Sequence, residues 1–174
     1  MLEATEIRSI LSLASIPVLA VESEGKLGTV IRVTPQQRDG LLSHLRDSKL
    51  AFVQMLDIFG ADIQSQPAVE PDPEKGIAPR AATAGYIEVT YYLRSQKHDT
   101  DVRAKMQLPY GSEYHSVIGL FLSALLSERE LCEMFGLVLL DHPNPKRLVT
   151  NQNFVTPLLK SVPIRGKEEV WTRN

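Results

Sequence analysis

The chain has 174 residues, enough to bury a core without disulfides or metals, and its formal net charge of −2, with neither sign gathered into a long block, gives no electrostatic support for nucleic-acid binding. Its 43% hydrophobic and 23% charged residues are ordinary for a soluble globular domain, and no apolar run reaches the ~18 to 20 residues that a membrane-spanning helix requires. The single cysteine, Cys132, excludes an internal disulfide and any multi-cysteine zinc or iron-sulfur site built from this chain alone.

Met1 to Ala14 carries Glu3, Glu6 and Arg8 among its apolar residues and lacks the basic region and unbroken apolar core of a signal peptide, so a cytoplasmic location is expected. In the same segment Ile7, Ile10, Leu11 and Ala14 recur at helical spacing, predicting an amphipathic helix that Pro17 stops. Val18 to Glu22 and Leu27 to Val33 are rich in β-branched residues around Glu24-Gly25-Lys26 and read as two short strands joined as a hairpin. Thr34 then opens a helix, with Pro35 in its first turn, Gln37 placed to close a capping box, and Leu41, Leu42 and Leu45 as its buried face.

Leu50 to Ile58 is mostly apolar and predicts a buried strand bounded by Gly60. Between 64 and 85 the prolines at 67, 71, 73 and 79 and a run of small residues predict a flexible surface loop. Beyond it the alternation is clear. Ile87, Val89, Tyr91 and Leu93 alternate with polar residues, as do Val102, Ala104, Met106 and Leu108, and the polar link 95–101 makes the two strands an antiparallel hairpin. Val117 to Leu126, apolar almost all round, predicts a buried helix. Ser127 and Glu130 form a second capping-box pattern, so a new helical segment or a kink is expected there, with Gly136 as the stop. Four later prolines (143, 145, 157 and 163) forbid long regular elements. The fold class expected is α+β, a mainly antiparallel sheet packed with a few helices: one domain over 1–154, then a proline-bearing extended tail over 155–174 that packs on a partner.

The polar residues around the last helix invite catalytic readings that spacing argues against. Glu128 and Glu130 point about 200° apart on a helix and cannot share one reacting atom, so Glu130 closing the cap and Arg129 pairing with Glu133 is the simpler account. Asp141-His142-Pro143 could seed a metal site with His115, but three or four convergent ligands are needed and a hydrogen-bonded structural histidine is the default. His44 and His98 read as solvated, Cys132 as a buried inert thiol, and no glycine-rich nucleotide loop is present. The tyrosines at 86, 91, 92, 110 and 114 read as cross-strand or interface residues before cofactor-stacking ones.

Ser127-Glu128-Arg129-Glu130-Leu131-Cys132-Glu133-Met134-Phe135-Gly136, followed by Asp141-His142-Pro143 and Arg147-Leu148-Val149, resembles the signature of the C subunit of NADH-quinone oxidoreductase, respiratory complex I, and of the related subunit of membrane-bound energy-converting hydrogenases. Glu128, Arg129, Glu130, Phe135, Gly136, His142, Pro143 and Arg147 fall on family positions, and Pro157-Leu158 with Lys160 is similar to a further motif. Asp141 stands where the family has Gly before His-Pro, Glu133 where it has Asp, and Leu126 where an aromatic is usual.

The resemblance implies a non-catalytic scaffold subunit of the cytoplasmic arm of an ion-translocating complex. It would hold in register a large subunit with the quinone site, or the nickel-iron site in hydrogenases, and a small iron-sulfur subunit. No cofactor, metal or catalytic residue is expected in this chain. Iron-sulfur clusters and quinone or nickel-iron belong to the partners, and membrane association, peripheral and on the cytoplasmic face, comes through the complex. The eight family positions named above are the candidate interface. The alternatives are the equivalent subunit of a nickel-iron hydrogenase or related ion-pumping complex, and an assembly or regulatory factor.

Overall fold

Strict alternation of apolar and polar residues builds the centre of the molecule. In a computed structural model, which describes residues 2–23, 28–68, 81–150 and 156–162, the predicted hairpin forms as β4 (Tyr86–Ser95) and β5 (Thr100–Leu108). They pair antiparallel from Ile87 opposite Leu108 to Ser95 opposite Thr100. One face sends Ile87, Val89, Tyr91, Leu93, Val102, Ala104 and Met106 into the core, as the period of two requires.

Three further strands, β1 (Ala20–Ser23), β2 (Thr29–Arg32) and β3 (Gln54–Ile63), complete a five-stranded sheet in the order β1-β2-β5-β4-β3. β1 and β2 pair antiparallel, and β2 adds to β5 in parallel, the single parallel pairing in this sheet among the described residues. The predicted turn at Glu24-Gly25-Lys26 lies outside the described residues. β3 forms the other edge, antiparallel to β4. The sheet is thus mainly antiparallel, as expected.

β3 departs from the sequence reading at both ends. Leu50 and Phe52 are fully buried, but in a connection that precedes the strand, and Gly60 lies inside the strand instead of bounding it. The reason is a close approach. A Cβ on Gly60 would sit 2.6 Å from the Phe135 ring and 2.7 Å from Leu131, so the missing side chain is the space the last helix occupies. Of the predicted loop, Gln66 and Thr83 form an isolated antiparallel bridge, and residues 69–80 lie outside the described residues.

Among the described residues three α-helices cover the inner face. α1 (Ala4–Leu13) opens with a capping box between Glu3 and Glu6, buries Ile7 and Leu11, and ends before Pro17 because Ser15 turns left-handed at φ +55°. The next helix is reached through Thr34, whose box with Gln37 closes on a 3-10 turn (Pro35–Gln37) that leads into α2 (Arg38–Asp47). Leu41, Leu42 and Leu45 are its buried face.

The predicted helix over 117–126 is a correction. Residues 118–120 and 122–123 are turns, and α3 runs from Ala124 to Phe135 as one helix through Ser127. Glu128 and Ser116 hold the leading amides of this turn, Glu128 on Val117 N–H at 2.6 Å and Ser116 Oγ on Ile118 N–H at 3.2 Å, and the turn closes through the amides of Leu120 and Phe121 on Val117 O before α3 begins. Ser127 therefore does not cap the helix, and its hydroxyl donates to Asp57 at 3.0 Å. Gly136 stops the helix as expected, at φ +71°, with its amide and that of Leu137 both donated to Cys132 O. A small parallel pair that the prolines concealed follows, β6 (Glu113–His115) with β7 (Val138–Leu140).

Candidate functional site

The polar residues of α3 serve two separate places. On its inner side Glu128 is fully buried and accepts from Val117 N–H, from Ser116 Oγ at 2.5 Å and from Tyr114 Oη at 3.2 Å. The chain of donors continues inward. Tyr91 Oη donates to Tyr114 Oη at 3.1 Å, and Arg38 Nη1, at the start of α2, donates to Tyr91 Oη at 3.3 Å and to His115 O at 2.7 Å. Arg38 is 4% exposed, lies over the Tyr114 ring at 5.4 Å and also binds Asp39.

A buried cation and a buried carboxylate are thus joined through two phenols, each accepting one bond and donating one. Burial pushes Tyr91 up to about 12 and Tyr114 well above the ordinary phenol range, so both remain neutral hydroxyls. The network runs through the interior and reaches the surface at Asp39, which accepts from Arg38 Nε at 2.7 Å. Arg38 was missed by the sequence reading, which gave the α2 face to leucines alone; an arginine beside the capping box of a helix whose other inward positions are apolar was the available signal.

On its flank α3 holds a strap formed by residues 144–150. Arg129 donates from Nε to Lys146 O at 2.6 Å and from Nη2 to Arg147 O at 3.0 Å. Glu133 accepts the amides of Leu148 at 2.7 Å and Val149 at 3.2 Å, together with the amide and hydroxyl of Thr150. Burial works to raise Glu133, but the bonds from the Thr150 hydroxyl and the three amides outweigh it and hold the carboxyl down at about 2. The expected Arg129–Glu133 pair does not form. Each side chain finds main-chain groups of the strap, which match its hydrogen-bonding sense more completely than one partner across a helical turn.

His142 anchors the entrance to the strap. Its Nε2 faces Leu125 O at 3.0 Å and its Nδ1 accepts Asn144 N–H at 3.0 Å, which fixes the Nε2–H tautomer and leaves no lone pair for a metal. His115 pairs with Asp141 at 2.6 Å, and among the described residues no cluster of three or more potential metal ligands occurs. His44 and His98 are less solvated than expected. Each is half-buried, His98 bonded to Lys49 O at 2.9 Å and His44 with its Nε2 closed from solvent.

The short segment 156–162 returns to the same helix. Leu158 N–H donates to Met134 O at 3.2 Å, and Lys160 N–H donates to Asp62 at 2.7 Å. Asp62 also accepts from Tyr110 Oη at 2.5 Å and from Gln64 at 3.0 Å. Burial tends to raise its carboxyl, and these bonds reverse the effect and lower it. Tyr110 is pushed up to about 12 by the same hydrogen bond, with burial adding to it. The remainder of the predicted tail, 155 and 163–174, lies outside the described residues.

Residues 31–168 match the model of the family described as the respiratory-chain NADH dehydrogenase, 30 Kd subunit. The chain belongs to that family. Relatives of the 30 kDa subunit family include the C subunit of NADH-quinone oxidoreductase from Wolbachia sp. subsp. Brugia malayi, 35% identical over 133 residues, covering 76% of this chain and 61% of that protein. The C subunit of the Methylobacterium sp. enzyme is 33% identical over 79% of this chain and 57% of its own length. The chain spans about three-fifths of the length of these two relatives. The C subunit of the Rhizobium etli enzyme is 30% identical over 95% of this chain and 76% of its own. Among solved structures, a chain of the membrane-bound sulfane sulfur reductase, an archaeal respiratory membrane complex, shares the fold with a TM-score of 0.55 at 20% identity, covering 78% of this chain and 69% of that one.

The 30 kDa subunit signature is divided by the structure into inward and outward residues. Glu128, Phe135 and His142 are buried, Arg129 and Gly136 half-buried, and Glu130, Pro143 and Arg147 exposed. Asp141, which stands where glycine precedes His-Pro in the pattern the sequence resembles, adopts φ +59°. Aspartate is among the few side chains that tolerate this left-handed region, and here its carboxylate meets His115. No helix among the described residues is long and apolar enough to cross a membrane.

Proposed function

We propose that this chain is a non-catalytic scaffold subunit of a complex I-like, ion-translocating NADH-quinone oxidoreductase. It would position the subunit that forms the quinone site and the subunit that carries the iron-sulfur clusters, at the cytoplasmic face and without a cofactor of its own. The observation that carries the reading is the family match over residues 31–168, supported by relatives at 30 to 35% identity named as the C subunit of that enzyme. The site geometry supports it from the physical side. Four of the signature's polar side chains are engaged in internal bonds: Glu128 and Glu133 each accept three or more donors, Arg129 donates to two carbonyls, and both nitrogens of His142 are engaged. Groups so engaged hold a shape and offer little to a reacting substrate.

The test is mass spectrometry of the stoichiometric partners retained by the tagged full-length chain from gently solubilised native membranes. A large subunit and a small iron-sulfur subunit are expected. Nickel-binding cysteine pairs in the large subunit would move the chain to the hydrogenase branch, substoichiometric association would favour an assembly or regulatory factor, and free monomer would overturn the scaffold reading. Truncation after Phe154 is a poor substitute, because it removes Lys160 from Asp62 and Leu158 from Met134 and so disturbs the domain itself.

A further inference from the structure

The strap over residues 144–150 is built in an unusual sense. Its main-chain groups are taken up by α3, with Arg129 on two carbonyls and Glu133 on three successive amides, while the side chains of Leu148 and Val149 remain exposed. Leu148 is 41% exposed and Val149 61% exposed. A loop that served only to cover its own domain would bury those two side chains and leave backbone to water.

Charge gives the second observation. From His142 to Lys167 the sequence holds five basic residues and no acidic one, in a chain whose formal net charge is −2. Two of the five, Lys146 and Arg147, sit on the strap beside Leu148 and Val149, and with Arg129 they line a recess of about 200 Å³ where Glu133, the one acidic residue lining it among the described residues, is already spent on the strap amides. Leu137, Leu139 and Pro145 also line the recess, so its lining is basic and apolar together. A volume of that size admits one side chain.

We infer that the 144–150 strap is a preorganised docking element for an acidic segment of a neighbouring subunit, which places a carboxylate among Arg129, Lys146 and Arg147 and apolar contacts on Leu148 and Val149. The inference rests on the scaffold reading and deepens it by naming the chemistry of the partner's surface. Because Glu133 and Arg129 fix the strap in the free chain, docking orders no loop, and less of the interaction is lost to conformational entropy. Complementary charges at such a contact set registry and salt sensitivity, and matching like charges oppose it strongly.

The experiment uses the tagged full-length chain in native membranes, as wild type, as K146E/R147E and as K146E alone, the last because Arg147 also reaches Thr150. Retained partner is measured at rising salt, and each purified variant is melted to show that the domain still folds. A photo-crosslinker is placed at Val149, with a control at Lys97 in the exposed β4–β5 link. Expected are a loss of retained partner on the order of tenfold for the double charge reversal and a smaller loss for K146E. At Val149 a crosslink to an aspartate- or glutamate-bearing segment is expected, with restoration of K146E/R147E when that segment is given lysines. If wild type and both variants retain partners equally, the strap proposal falls while the scaffold reading stands. A crosslink from Val149 to lipid would overturn it in favour of an anionic membrane surface. Wild type without partners would overturn the scaffold reading and this inference with it.

Discussion

Glu128 and Glu133 lie five residues apart on α3, and both are closed to solvent, at 0% and 7% exposure, yet they do different work. Glu128 gathers the turn that precedes the helix, through Tyr114, Ser116 and Val117, and reaches the core through Tyr91 and Arg38. Glu133 gathers the strap that follows the helix and stops at the surface. One helix therefore shapes the loop on either side of it with a carboxylate, but only the first carboxylate is tied into the sheet. Loss of the first should cost the whole domain, and loss of the second should cost a segment.

Glu128→Ala is the larger break. It strands Val117 N–H and the Ser116 and Tyr114 hydroxyls in the interior and leaves Arg38 buried without the carboxylate at the far end of its chain, a loss of about 3 to 5 kcal/mol by the usual cost of breaking a buried charged network. Glu128→Gln, which keeps one acceptor oxygen, should lose less. Urea unfolding of the isolated chain decides the matter: a Glu128→Ala midpoint within error of wild type would show that the network adds nothing to the core.

Glu133→Ala should cost less, about 1 to 3 kcal/mol, the range for leaving buried amides unpaired, because the strap can turn those amides to water. The distinguishing measurement is site-resolved amide exchange. Leu148, Val149 and Thr150 should lose protection while Val89, Tyr91 and Ala104 in the central strands keep theirs. Equal loss in strap and sheet would mean that both carboxylates belong to one cooperative unit and would erase the comparison.

Much of the first region was readable in the sequence and little of the second. The alternation Ile87, Val89, Tyr91, Leu93 predicts the central hairpin because side chains in a strand reverse at each residue, and Gly136 predicts the helix stop because a positive φ favours the residue without Cβ. The 200° between Glu128 and Glu130 likewise foretells that one turns inward and the other outward. Such features are set by chain neighbours. Arg38 with Glu128, Gly60 beneath Phe135 and Glu133 on the amides of 148–150 are pairings across the fold, with separations that no local period encodes. The helix expected over 117–126 begins only at Ala124, and the turn before it is gathered by Glu128 on Val117 N–H, a pairing across eleven residues that no local period encodes.

Acid offers a gentler break than substitution. Since the folded carboxyl of Glu133 is held at about 2, below the ordinary 4.5, the chain stabilises its charged form. That contribution is fully present above about pH 4.5 and is lost as the pH falls through the folded value. Subtracting the Glu133→Ala stability profile from that of wild type should give a difference that is flat above 4.5 and shrinks steadily toward pH 2. A difference that stayed constant down to pH 2 would mean that the strap amides do not read the charge on Glu133.

Cys132 provides the mildest probe, because it reports on the strap without altering the fold. Its thiol is 6% exposed, and burial pushes it up to about 12, with the neighbouring Glu128 carboxylate adding to the effect, so at neutral pH it is un-ionised and resists alkylation. It nevertheless lines the recess beside Arg129, Glu133 and the strap residues Lys146 and Arg147. If Glu133 is what holds the strap down, Glu133→Ala should open that recess and raise the iodoacetamide labelling rate of Cys132, while Glu130→Ala, on the exposed side of the same helix, should leave it unchanged. Equal rates in wild type and Glu133→Ala would show that the strap stays seated on Arg129 and His142 alone, and the division between a core carboxylate and a strap carboxylate would then reduce to a difference in burial.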